Sequence, residues 1–221
     1  RDIVHAWPVA IATERAAYGS TPPYNADAAY PEFPFGPEAV SDTENPAYDG
    51  VRGSLRLLGL DAERYGLKAW NPLRQMMHPG DTVVLKPNFV REFRETHSGL
   101  DDCVITHGSV IRAVVDYVYI ALEGRGRIII ADAPHNDADF DAIRAIAGLT
   151  EIQEFYRQHT GFEVEVYDLR PEKARKTDGV IVGHEKLPGD PAGYVEVNLG
   201  SDSAFVEVNH LCHLIYGSEY D

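Results

Sequence analysis

Cysteine is scarce in this sequence: Cys103 and Cys212 are its two residues of that type in 221, with no CxxC spacing. The chain therefore carries neither a disulfide framework nor a cysteine-built zinc or iron–sulfur site, and a reducing cytoplasm is the default expectation. Basic residues are also few, 20 Lys and Arg against 35 Asp and Glu, for a formal net charge of −15. That balance excludes a general binder of nucleic acid or anionic membrane, which needs clustered Lys and Arg, and leaves room only for a local basic pocket. No apolar run approaches the roughly 20 residues that span a bilayer. Motifs of the GxGxxG, GxxxxGK and HExxH types are missing, so standard dinucleotide, P-loop and zincin sites have no support.

What is present is a globular composition, 44% hydrophobic and 25% charged, at a length suited to one large domain or a domain with an appended piece. The first residue is Arg1, and 216–221 carry no stop signal for an element. We read this as a trimmed or incomplete polypeptide, with part of the working site expected beyond Asp221. Residues 18–50 hold six prolines among Tyr24, Tyr30, Phe33 and Phe35. Such proline density forbids long helices and central strands, while the aromatic rings favour an ordered arm packed on the domain. Residues 1–50 are accordingly read as an arm that covers a site or forms a homo-oligomer contact through Tyr30 and Phe33.

The remainder, 51–221, reads as one α/β domain. Val51, Leu55 and Leu58 have helical spacing, and Thr82-Val83-Val84-Leu85 is a short strand expected to be covered on both faces. Val110, Ile111, Val114, Val115, Val118 and Leu122 mark the strongest helix, with Thr106 or Ser109 as its cap. Ile128 to Asp132 forms a second strand. Helical spacing around Gly148 precedes a third strand at 164–169. Strand, helix and strand in this order make right-handed crossover units. Alternation at Val180–Val182, 194–197 and 205–208 predicts an antiparallel β extension over 179–208. The expected fold is a Rossmann-like three-layer α/β core with a mostly parallel sheet, plus that extension in the C-terminal quarter.

In open α/β sheets ligands bind beyond the carboxyl ends of the strands. Lys86, Asn88 and Arg91 follow the first strand; Asp132, His135, Asn136 and Asp137 the second; Asp168 and Arg170 the third. Lys86 precedes Pro87, which has no N–H and ends the ladder, so its ammonium is placed to hold a phosphate or carboxylate. Asp132 and His135 combine a carboxylate with an imidazole, suited to acid–base work or to a divalent cation. Thr106 and His107 stand before the strong helix, where an anion is favoured. His97 and His107 are further candidate ligands of a metal centred on Asp132 and His135. His210 and His213 flank Cys212, a cluster that reads better as packing than as a site.

The blocks 80–90, Thr106-His107 with 110–114, and 126–134 resemble, in order and spacing, the family known as domain of unknown function 362, over roughly residues 80–170. Val9-Ala10-Ile11 resembles the family's opening strand. The resemblance implies a longer protein, with a further Lys-, His- and Asn-rich block that this sequence lacks. Some relatives carry ferredoxin-like cysteine clusters, and this chain has none, so iron–sulfur chemistry does not transfer. Three readings follow: an enzyme that binds an anionic small molecule at the strand ends, a metal-assisted hydrolase or lyase, and a non-catalytic binding or assembly module.

Overall fold

The structure is a computed structural model that describes residues 8–13, 17–92 and 104–203. Contacts divide the chain between Asp190 and Pro191, and the described part of the second unit contains one 3-10 turn, Gly200–Asp202. The first unit holds α1 (Pro46–Leu57), β1 (Thr82–Leu85), α2 (Gly108–Leu122), β2 (Arg127–Asp132), α3 (Phe140–Ile146), α4 (Leu149–Thr160), β3 (Val164–Asp168), β4 (Glu172–Thr177) and β5 (Val180–Lys186). It is a mixed α/β structure. β1, β2 and β3 form a parallel sheet in that spatial order, and β4 and β5 form a separate antiparallel hairpin.

Local chemistry explains the boundaries. Pro46 occupies the first turn of α1, where its missing N–H is not needed, so a proline that reads as a breaker instead begins the helix five residues before the expected boundary. α2 is capped by His107, whose side chain accepts the Ser109 N–H, not by Thr106 or Ser109. Glu123 and Gly124 turn left-handed at φ 50° and 67° and end it. The Asp139 side chain accepts the Ala142 N–H and starts α3. Gly148, at φ 63°, parts α3 from α4.

Strand order fixes where the helices lie. Both crossovers step in the same direction across the sheet, so connections of one hand put their helices on one face. Val83, Leu85, Ile128, Ile130, Val164 and Val166 indeed share a core with Ile111, Val115 and Val118 of α2 and Leu149, Ile152 and Tyr156 of α4. The other face carries Val84, Ile129 and Glu165, in register across the sheet, with Tyr167 two residues further along β3, and Val84 is 57% exposed. β1 is thus covered on one face, not two. A doubly wound sheet needs a reversal of strand order to place helices on its second face, and the described strands contain no such reversal.

The antiparallel expectation is corrected in extent. The hairpin begins at Glu172, ahead of the expected start at 179, and turns through Asp178 and Gly179, both left-handed at φ 52° and 79°. These are the conformations of a two-residue turn whose twist matches that of the strands. Residues 194–197 form no strand, with Val195 88% exposed and no described strand beside it. Residues 205–208 lie outside the described residues. Val9 and Ile11, expected in an opening strand, are exposed and in no regular element.

The arm is part of the first unit and packs against α1 and α2. Arg52 of α1 donates from Nε to Glu32 Oε1 at 2.6 Å and from Nη1 to the Tyr65 hydroxyl at 2.7 Å, and its guanidinium lies over the Tyr30, Tyr65 and Trp70 rings. Tyr117 of α2 donates to the same Glu32 oxygen at 3.0 Å. Tyr30 stacks on Tyr48, and Phe33 packs edge-on to Phe35 and Tyr48, so both rings are engaged within the chain. A second buried pair sits between α2 and its neighbours: Arg112 Nε donates to Asp116 Oδ1 at 2.7 Å, and the Tyr48 and Tyr156 hydroxyls donate to the same carboxylate. Burial works against the Arg112 charge, but Asp116 and the ring hydroxyls outweigh it and raise the guanidinium pKa.

Candidate functional site

β1 and β2 end side by side, with Leu85 paired to Ile130, so Lys86 and Asp132 emerge together at the carboxyl edge. Proline after Lys86 ends the ladder there. Lys86 Nζ lies 2.8 Å from Asp132 Oδ1 and 3.3 Å from the Pro87 carbonyl it donates to. Asp132 is buried, while Lys86 is exposed. The same carboxylate accepts the Phe89 N–H on Oδ2 at 2.7 Å and the Ala133 N–H on Oδ1 at 2.9 Å. Asp132 therefore ties both post-strand loops together and fixes the base of the lysine.

Thr106 closes the next side. Its hydroxyl accepts the Asn88 N–H at 2.9 Å, its own N–H donates to the Asn88 carbonyl at 2.9 Å, and Phe89 bridges Ile105. Leu85, Lys86, Thr106, Val110 and Val114 line a cavity of about 200 Å³ here. Its lining is mainly apolar, with Lys86 and Thr106 as its polar residues.

His107 takes a different part. Its Nδ1 accepts the Ser109 N–H at 3.1 Å and lies 2.9 Å from the Ser109 hydroxyl, and its ring stacks on Tyr18 at 4.3 Å. Burial holds its pKa below the ordinary value, in keeping with a neutral ring that accepts at Nδ1. The N–H groups of Val110 and Ile111 reach the His107 carbonyl, so this helix start consumes donors that the sequence reading offers to an anion.

Beyond β2 the loop is held at both ends. The His135 N–H donates to the Val90 carbonyl at 2.8 Å, and Arg170 Nη1 donates to the carbonyls of His135 and Ala138 at 2.7 and 3.1 Å. Arg170 is anchored by Asp168, 2.6 Å from Nη2. His135 Nδ1 meets Asp137 Oδ1 at 2.5 Å, and Asp137 Oδ2 lies 3.1 Å from Lys176 Nζ and 3.5 Å from Arg91 Nη2. Partial burial pushes the Asp137 carboxyl up, but the hydrogen bonds and charges of His135 and Lys176 outweigh it and hold the group at about 2. Asn136 accepts the Ala174 N–H of β4 at 2.8 Å through its carbonyl, and its buried Oδ1 has no hydrogen-bond partner.

The structure thus brings Lys86 to Asp132, Asn88 to Thr106, and His135 to Asp137, while His107 faces the arm. Two participants escape the sequence reading. Lys176 reaches Asp137 because the hairpin folds back on the β2 loop, and Asp178-Gly179 is the turn signal that foretells the hairpin. Tyr18 belongs to the arm, and only its stacking on His107 places it near the strand ends.

Of the four expected metal ligands, Asp132, His135 and His107 lie among the described residues. Both Asp132 oxygens are engaged by Lys86 and two backbone N–H groups, and His107 Nδ1 is a helix cap. Among the described residues no group of three or more His, Cys, Asp and Glu is arranged to hold a metal ion. His97, His210, Cys212 and His213 lie outside the described residues.

A parallel α/β sheet with polar side chains gathered at its carboxyl edge defines the class of protein at hand. Residues 83–188, just under half of the chain, match the family model described as Domain of unknown function (DUF362). The match runs from β1 through the hairpin, past the residue-170 limit of the resemblance, and so takes in Lys86, Thr106, Asp132, His135 and Lys176. Comparison with curated proteins and with solved structures gives no match. Among the described residues no helix is long and apolar enough to cross a membrane.

Proposed function

We propose that this chain is an enzyme that binds an anionic small molecule at the carboxyl end of β1. The observation that carries the reading is the exposed Lys86 ammonium, braced by buried Asp132, on the wall of a cavity that Thr106 also lines. In a chain of net charge −15, a cation so placed favours an anion at this one spot. An ammonium has three protons; Asp132 and the Pro87 carbonyl take two, and the third is the ligand's. Asp132 is then a positioning residue, acting through Lys86, and Asn88 holds Thr106 in place.

His135 is the proposed acid–base group. Its Nδ1 is engaged by Asp137, which leaves Nε2 as the nitrogen for proton transfer. The Rossmann-like third layer belongs to the same reading, as a cover over the face that carries Val84 and Tyr167. A cytoplasmic setting rests on cysteine usage alone.

The test is calorimetric titration of the wild-type chain and Lys86→Gln with sodium acetate and with inorganic phosphate. Binding of either anion to wild type and its loss in Lys86→Gln support the reading. Equal binding by both chains removes Lys86, and no binding to wild type removes the anion site.

A further inference from the structure

The cavity beside Lys86 does not stand alone on α2. Val110 lines it and also lines a second, larger cavity of about 580 Å³, bounded by Ala12, Tyr18, Ala47, Gly50, Val51 and Leu55. Ala47, Gly50, Val51 and Leu55 repeat at spacings of three and four, which puts them on one face of α1. The larger space is therefore a groove between α1, α2 and the arm. Its walls are mainly hydrocarbon, with the Tyr18 ring at one margin and Ser54 among the lining, and small side chains at Ala12, Ala47 and Gly50 keep it open.

Two features select the occupant. Lys86 offers one positive charge, part of which Asp132 already balances at 2.8 Å, so a singly charged head suits it better than a dianion. Water in a groove of this composition finds few polar partners, and an apolar chain displaces it favourably.

Resting on the anion-site reading above, we infer that the ligand is an amphipathic carboxylate. Its head contacts Lys86 and Thr106, and its apolar chain crosses Val110 into the groove between α1 and the arm. This division of labour gives the arm a function: Tyr18 and Ala12 form one wall of the chain-binding part.

The test compares acetate, decanoate and decanol as probes on the wild-type chain by calorimetry. Burial of each methylene strengthens binding about fourfold, so decanoate is expected to bind at least about a hundredfold more tightly than acetate. Lys86→Gln should weaken decanoate and leave decanol unchanged. Gly50→Leu fills the groove, and a Cβ at Gly50 meets no atom within 4 Å, so the helix tolerates it. This variant should lose the gain from chain length and still bind acetate like wild type, with circular dichroism confirming an unchanged fold. Decanoate binding no tighter than acetate overturns the inference and leaves the anion site standing. Decanol binding as tightly as decanoate, or neither carboxylate binding, overturns both.

Discussion

Lys86 Nζ and Asp132 Oδ1 are 2.8 Å apart, yet the lysine side chain is 67% exposed and the aspartate 7%. The two partners therefore differ in what their removal costs. Lys86→Ala deletes a solvated charge and should change stability by no more than about 1 kcal/mol. Asp132→Ala strips the acceptor from the Phe89 and Ala133 N–H groups and should cost roughly 2–4 kcal/mol. Urea denaturation of the two variants measures the contrast. Equal losses would mean that Asp132 serves only to hold Lys86.

His107 gives the fold a pH dependence. Burial lowers its folded-state pKa, so the unfolded chain takes up its proton first as acid is added. The contribution is whole above about pH 6.5, the ordinary value for histidine, and is lost as pH falls from there through the lower folded-state pKa. Protonation also turns Nδ1 from acceptor to donor and removes the cap. His107→Asn keeps a capping oxygen and should abolish this limb, whereas His107→Ala should cost about 0.5–2 kcal/mol at neutral pH. Thermal melts between pH 5 and 8 report both effects.

Asp137 acts further into acid. Its folded pKa of about 2 lies below that of an unpaired aspartate, so its stabilising contribution is present above about pH 4 and is lost as pH falls from there to about 2. Asp137→Asn should lower stability at pH 7 by roughly 1–2 kcal/mol. The gap from wild type should close toward pH 2. A constant gap over that range would show that charge is not the source.

The buried Arg112–Asp116 pair carries a larger consequence. Both side chains are fully buried, so Asp116→Asn leaves a guanidinium without its counter-charge, at a cost of about 3–5 kcal/mol. Arg112→Met with Asp116→Leu removes both charges and should recover part of that loss. It leaves the Tyr48 and Tyr156 hydroxyls without their acceptor, so recovery stays incomplete. Urea denaturation of Asp116→Asn and of the double variant measures the two losses.

The parallel sheet was legible because β1, β2 and β3 are short apolar runs separated by a strongly periodic helix, a pattern set by backbone geometry and burial. The strand ends were legible for the same reason: Pro87 and Pro134 mark where each ladder must stop. The partnerships were harder to read. Nothing in the spacing of Lys86 and Asp132, 46 positions apart, shows that they meet, because strand register decides it. Arg112 and Asp116 do have the i, i+4 spacing of a helical ion pair, but such pairs are usually solvated, and only the packing of Tyr48 and Tyr156 on α2 makes this one buried. The second face of the sheet was harder to read, because an apolar strand looks the same whether one layer or two will cover it.

Gly108 separates two effects of a methyl group. At the first position of α2, exchange of glycine for alanine ordinarily favours a helix by up to about 1 kcal/mol. Here a Cβ would stand 2.0 Å from the Ala147 carbonyl oxygen and 2.5 Å from Tyr24 Cε2. The carbonyl belongs to the junction of α3 and α4 and the ring to the arm, so neither yields without moving an element that shapes the strand-end site. Gly108→Ala should therefore destabilise, by roughly 1–3 kcal/mol as expected for overpacking. It should also weaken the stacking of Tyr18 on His107, one residue away. Guanidinium denaturation gives the sign, and a stabilised variant would mean that α2 packs less closely on that junction than the structure places it.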